Sequence, residues 1–300
     1  MADTFPSRPV KIVVPFAPGG IGDILMRLAG AQLQERLGQP FIIETRPGAG
    51  GNLGTEMVAK SPGDGYTLLS TGTPNTINAS YYDKLNFDFI HDIVPVAGVT
   101  HGPLFMVVNP SVPAQSVPEF IAYAKANPGR IAMASSGNGT APHLSGELFK
   151  MMAGVDMLHV PYRGARAAMT AVFTGEAHVL FDPIPSSIEQ IKAGRLKPLA
   201  VTSLTRADAL PELPTVNDTV PGYEANGWQG IGVPKATPVE IIGKLNREIN
   251  AALADPAMRE KILNLGAAVY PASPEEAGKL ILSDTEKWAK VVKFAGLKAE

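Results

Sequence analysis

The sequence predicts an α/β protein made of two units, each with a mainly parallel sheet flanked by helices. Short, nearly continuous apolar runs alternate with helical stretches, as they do where strands are covered on both faces. A glycine-rich loop follows an early strand in each half of the chain. The 30 glycines and 27 prolines show no repeat, so they mark specified turns between many short elements.

In the first unit, Val10–Val14 is the opening strand, stopped by Pro15. The loop Phe16-Ala17-Pro18-Gly19-Gly20-Ile21-Gly22-Asp23 leads into a helix to Leu37, where Gly38 and Pro40 supply the stop. Phe41–Glu44 is a second strand, Asn52 is expected to cap a short helix ending near Lys60, and Pro62-Gly63-Asp64-Gly65 feeds a third strand, Tyr66–Ser70. In the second unit, Leu104–Val108 is a strand. Ser116-Val117-Pro118-Glu119 reads as a capping box opening a helix to about Asn127. Strand Ile131–Ala134 precedes the loop Ser135-Ser136-Gly137-Asn138-Gly139-Thr140 and a helix from about Pro142 to Ala153. Further strands are expected at Met157–Val160, Val179–Phe181 and Leu199–Thr202, with helices between them ending at Gly175 and Gly194. The tail is helical, with Thr237-Pro238-Val239-Glu240 and Ser273-Pro274-Glu275-Glu276 as start signals. Val99–Val107 and Gly227–Val233 are strand-like rather than linker-like. The expected division is therefore 1–102 with 230–300 as one lobe and 103–229 as the other, two strands crossing between them as a hinge and a ligand cleft between the lobes.

Composition excludes several functions. Twenty-six basic against 28 acidic residues leave a net charge of −2, which offers no field for nucleic acid or an anionic membrane surface. No cysteine is present, so disulfides, thiolate catalysis, iron–sulfur clusters and cysteine-held zinc are absent. No run approaches the roughly 18 apolar residues of a membrane-spanning helix. The start, Met1-Ala2-Asp3-Thr4-Phe5-Pro6, has neither the basic nor the apolar region of a leader peptide.

The motifs of nucleotide and catalytic sites fail one by one. Gly20-Ile21-Gly22 meets Leu25 where a dinucleotide fingerprint needs glycine, and Gly137-Asn138-Gly139 meets Pro142. Neither Gly243-Lys244 nor Gly278-Lys279 is followed by Ser or Thr, so no P-loop exists. No Gly-x-Ser-x-Gly or His-Glu-x-x-His occurs, and the histidines at 91, 101, 143, 159 and 178 have no metal-like spacing. What remains is anion chemistry. Both glycine-rich loops set backbone N–H groups at a helix start beyond the carboxyl end of a strand, where the helix dipole favours negative charge; each is otherwise simply a tight turn. His143 is either a ligand contact or a helix-start histidine bonded to nearby backbone. Arg163 and Arg166 each offer a fork to a carboxylate or lie solvated. Asp182 either accepts from a ligand or caps the next helix.

The chain resembles the Bug family, the substrate receptors of tripartite tricarboxylate transporters. The residues that carry the likeness are Pro15–Gly20 with Asp23, Glu44–Asn52, Pro62–Leu69, Ala134–Thr140, His159–Gly164, Ala193–Leu196 and Leu199–Ser203, spread in order over essentially the whole chain. The resemblance implies a two-lobed, type II-like Venus-flytrap binding protein in the periplasm, exported by a leader that this sequence lacks. It implies no enzymatic activity and no cofactor or metal. The partners are a small carboxylate and the membrane permease subunits, with the receptor itself a monomer. The ligand-binding residues expected are Phe16, Ala17, Gly19, Gly20, Asp23, Thr71, Thr73, Ser135, Ser136, Asn138, Gly139, Thr140, His143, Arg166 and Asp182. Arg166 stands where the family usually has a small or polar residue, so a dicarboxylate is expected, and Phe16, Phe181 and Pro183 would admit an aromatic one. The alternatives are a ligand sensor for a signalling partner and an enzyme acting on an organic acid on the same scaffold.

Overall fold

The computed structural model describes residues 5–207, 210–265 and 267–299, and the side chains of all but 185 and 186 among them. The first four residues of the leader reading thus lie outside the described residues. In chain order the elements are β1 (Val10–Val14), α1 (Ile21–Leu37), β2 (Phe41–Thr45), α2 (Asn52–Ala59), β3 (Thr67–Gly72), α3 (Thr73–Tyr81), α4 (Phe89–Asp92), β4 (Ile93–Val108), α5 (Val117–Ala126), β5 (Ile131–Ser135), α6 (Ala141–Ala153), β6 (Met157–Pro161), α7 (Ala165–Thr174), β7 (Val179–Pro183), α8 (Ile184–Lys192), β8 (Lys197–Val201), β9 (Asn226–Pro234), α9 (Val239–Leu253), α10 (Pro256–Asn264), β10 (Ala268–Val269) and α11 (Pro274–Phe294).

Two compact units result. The first comprises Met1–His101 with Trp228–Val292 and the last four residues; the second comprises Gly102–Gly227 with Lys293–Gly296. In the first unit β1 lies between β2 and β3, parallel to both, and β3 pairs antiparallel with β9. In the second, β5 lies between β6 and β7, parallel to both, and β7 pairs antiparallel with the end of β4, whose other side takes β8. The same pattern is therefore built twice, a parallel trio with its first strand in the centre and an antiparallel neighbour beyond.

The central strands explain the apolar runs. Val10, Ile12 and Val14 of β1 pack in one core with α1, α9 and α10, while Val13 enters a second core with Val58, Leu69, Phe89, Trp228 and Ile281. Both faces are dry, so alternation disappears. In the second unit Phe105, Val107, Leu180 and Val201 pack with Ala168, Ala171 and Val172 of α7. Phe149, Phe181 and Tyr223 form an aromatic cluster there, and the Tyr223 hydroxyl donates to the Ser145 carbonyl at 2.9 Å.

Several local expectations need correction. Asn52 is the first residue of α2 rather than its cap, and its amide Oδ1 accepts from Asn78 at 3.1 Å. Thr237 does not cap α9; its hydroxyl donates to the Pro234 carbonyl and Pro238 is the cap residue. The strand expected at 104–108 is the second part of a 16-residue strand. By contrast, Ser273 and Glu276 form the reciprocal box at the start of α11: Ser273 Oγ accepts from the Glu276 N–H, and Glu276 accepts from the Ser273 N–H.

Candidate functional site

In the first unit the chain leaves β1 at Pro15 and turns through Phe16–Gly20, with Gly19 at φ +80°, a conformation that favours glycine. Gly20 is the cap residue of α1 and supplies no side chain to it, so the N–H groups of the first turn lack a side-chain cap. Phe16 is half-buried and Ala17, Gly19 and Gly20 are exposed. Asp23 is buried and turned back on the loop: Oδ2 accepts from the Gly19 N–H at 2.8 Å and Oδ1 is 2.9 Å from the Arg27 guanidinium. The Arg27 hydrogen bond, seconded by the Gly19 N–H, holds the Asp23 carboxyl below the ordinary carboxylate range against the opposing cost of burial. Asp23 thus braces the turn through Oδ2, while Oδ1 faces Arg27 one turn further along α1.

Behind this loop lies a second tight turn. Gly48, Ala49, Gly50 and Gly51 all have positive φ, and the close approach of the Phe16 ring would leave a Cβ on Gly51 only 3.0 Å of room. Buried polar side chains hold the turn: Thr55 donates to the Gly51 carbonyl, Asn75 donates to Thr55, and Asn78 donates to the Gly50 carbonyl. Thr71 and Thr73 are both buried beside it. The Thr73 hydroxyl accepts from the Trp228 N–H at 3.1 Å, so it is engaged within its own unit.

In the second unit the loop after β5 is braced from behind by two histidines. Ser135 Oγ lies 2.7 Å from His159 Nε2, accepts from the Gly137 N–H at 3.2 Å and donates to the Gly137 carbonyl at 3.1 Å. Thr140 donates to the same carbonyl at 2.7 Å. His143, fully buried in the first turn of α6, accepts from the Gly139 N–H through Nδ1 at 3.1 Å. Its ring stacks on His159 at 3.6 Å and 7°. Burial, then His159 and Lys150, pulls His143 down to about 3, and burial followed by Lys150 pulls His159 down to about 4. Both rings are therefore neutral at pH 7. Glu147, paired with Lys150 at 2.9 Å, is pushed up by burial. Ser136 and Gly139 are half-buried, Asn138 is exposed, and Thr140 caps α6 with backbone alone.

The first turn of α7 carries Arg166, which is exposed and makes no ion pair among the described residues; its carbonyl accepts from Thr170. Gly164 leaves that helix start without a side-chain cap as well. Asp182, at the end of β7, is buried and accepts from the Ser187 hydroxyl at 2.7 Å, while Pro183 takes the cap position of α8. Among the described residues no cluster of histidine and carboxylate side chains is arranged to hold a metal.

Helix starts without a side-chain cap occur in each unit, at α1 in the first and at α6 and α7 in the second, and their free N–H groups suit the holding of an anion. The sequence pattern of the tripartite tricarboxylate transporter family receptor (TctC) matches residues 25–297. The chain belongs to this family. It is a solute receptor, and neither the family nor its solved relatives are enzymes. The TctC receptor is 37% identical to the protein BugT of Bordetella pertussis over 99% of this chain and 92% of that one. Among solved structures, Rpa4515 of R. palustris with adipate is 37% identical with a TM-score of 0.83, covering 98% of this chain and 99% of that one. MatC from Rhodopseudomonas palustris with bound malate is 30% identical with a TM-score of 0.80, covering 96% and 100%. These matches carry the two-lobed binding-protein fold class to this TctC receptor. The braces Asn75, Asn78 and His159 are absent from the sequence-based site, because each is set by contacts between segments far apart in the chain.

Proposed function

We propose that this receptor binds a small dicarboxylate outside the cytoplasm and hands it to membrane permease subunits of a tripartite tricarboxylate-type transporter, acting as a monomer. The observation that carries the ligand class is that two relatives matching nearly the whole chain hold adipate and malate, both dicarboxylates. The chain's own residues support it. The Phe16–Gly20 loop and the Ser135–Thr140 loop each offer helix-start N–H groups to a carboxylate, backed in the first unit by the buried Thr71 and Thr73 and in the second by the Ser136, Asn138 and Thr140 side chains and the buried Asp182. Arg166 takes the second carboxylate through its guanidinium.

A thermal-shift panel of C4–C6 diacids, citrate, acidic amino acids and aromatic mono- and diacids tests the reading, on protein unfolded and refolded to strip any carried ligand. Ligand at about 100 times its Kd stabilises by about 2.7 kcal/mol, a rise of several degrees. Selective stabilisation by diacids supports the proposal; no response across the panel overturns it. For the fine assignment, Arg166→Ala should weaken a diacid by about tenfold or more while leaving its monoacid analogue within about threefold. Equal losses for both would remove Arg166 from the site.

A further inference from the structure

His143, the buried member of the histidine stack behind the 135–140 loop, has no place among ligand contacts, since it is fully buried and its Nδ1 is taken by the Gly139 N–H, while the half-buried His159 spends its Nε2 on Ser135. We propose that His143 and His159 are positioning residues, which fix the ligand loop by accepting or sharing hydrogen bonds at one specified ring nitrogen each. The proposal rests on the 135–140 loop being a binding loop, as argued above.

Because His143 Nδ1 accepts a backbone N–H, its proton is on Nε2, which lies in the interior 3.9 Å from Glu147 Oε1. His159 uses the other nitrogen: Nε2 meets Ser135 Oγ, and Ser135 in turn bonds Gly137. One ring thus orients Gly139 directly and the other orients Gly137 through Ser135. The parallel stack at 3.6 Å locks the two rings against each other, so neither nitrogen rotates away. Gly137 at φ +130° and Gly139 at φ +71° give the loop conformations with no side chains of their own to hold them. Groups facing the stack from α6 are Glu147 and Lys150, whose mutual ion pair is 2.9 Å.

Amide replacements separate this role from mere packing. Asparagine places an oxygen where Nδ1 sits, and glutamine reaches the position of Nε2. His143→Asn should therefore keep the Gly139 bond and His143→Gln should lose it, whereas at 159 the order reverses, His159→Gln keeping the Ser135 bond and His159→Asn losing it. The first readout is amide hydrogen exchange at Gly137 and Gly139 in ligand-free protein. Exchange at Gly139 should rise about tenfold or more in His143→Gln and stay within about threefold in His143→Asn, with the reversed order for Gly137 at position 159. The second readout is calorimetric affinity for adipate as probe, which should follow the same crossed order, while urea unfolding checks that each variant is folded. If asparagine and glutamine act alike at both positions, or if exchange is unmoved in His143→Gln, the proposal is overturned. Should one position tolerate neither amide, exchange in the pair at the other position decides. Failure of the wild type to bind any diacid overturns the ligand reading instead, and the exchange arm still decides this one.

Discussion

Asp23 shows how a residue named from its loop can do its work one step back from a ligand. It sits in the first turn of α1, where the helix dipole favours an anion, yet the charge is met by Arg27 and the Gly19 N–H. Asp23→Ala should cost about 1–2 kcal/mol of stability by leaving the Gly19 N–H and Arg27 without their acceptor, read by urea denaturation. It should also weaken ligand binding, because the 16–20 turn loses its brace. His143 is similar, in that the sequence raised both a ligand role and a bond to nearby backbone, and the side chain makes the latter bond. What no reading of the chain supplied was His159 lying flat against it, since residues 143 and 159 meet only once α6 packs on β6. Asp284 belongs to the same class. Its Oδ2 accepts from Thr76 at 2.8 Å and from the Trp228 indole at 2.9 Å, joining three distant segments.

At the scale of elements, legibility followed the source of each element's stability. β1 and α1 were plain because apolar residues fill their buried positions. α3 has no such signal: apart from Ile77 its buried residues are Thr73, Asn75, Thr76 and Asn78, which are held by hydrogen bonds to Trp228, Thr55, Asp284 and Gly50 rather than by an apolar stripe. A polar helix of that kind has no hydrophobic period to read. Ser116 and Ser273 are legible as caps because each bonds within three residues, but the box expected at 116–119 is only half formed, since Glu119 accepts from the Gln115 N–H rather than from Ser116. Two glycines make the packing of elements testable. A Cβ at Gly54 in α2 would lie 2.9 Å from the Arg46 carbonyl oxygen and 3.0 Å from the Pro15 Cα, backbone atoms that do not yield. Gly54→Ala should destabilise by about 1–3 kcal/mol despite the better helix propensity of alanine. Gly243→Ala in α9 meets only the Arg247 side chain at 3.7 Å and should stabilise by about 0.5–1 kcal/mol. Chemical denaturation of the pair checks that the two signs differ.

For the molecule as a whole, acid stability is set in two windows. His143 and His159 are held down to about 3 and about 4, while in the unfolded chain each titrates near 6.5. Between those values the unfolded chain binds protons that the folded one does not, so stability falls as pH falls from about 6.5 towards 4, at up to about 1.4 kcal/mol per pH unit for each histidine. Below about pH 4 the carboxylates Asp23, Glu44 and Asp92, whose folded values are lowered by their partners, add a second loss. A pH series of urea midpoints should show both. The double variant His143→Asn with His159→Gln should flatten the upper window alone.

The two units also differ in how their residues are ordered along the chain. The second is almost one continuous segment, Gly102–Gly227, whereas the first needs Trp228–Val292 in addition to Met1–His101. A chain emerging from its N-terminus therefore completes the second unit's main segment while the first is still missing β9, α9 and α11. Throughout that interval β3 keeps an open edge on the side where Gly232, Ile231, Gly230 and Gln229 will later pair with it. The unit begun first is finished last, and nascent chains would be most exposed to edge-to-edge association after the first hundred residues have emerged and before the last seventy have.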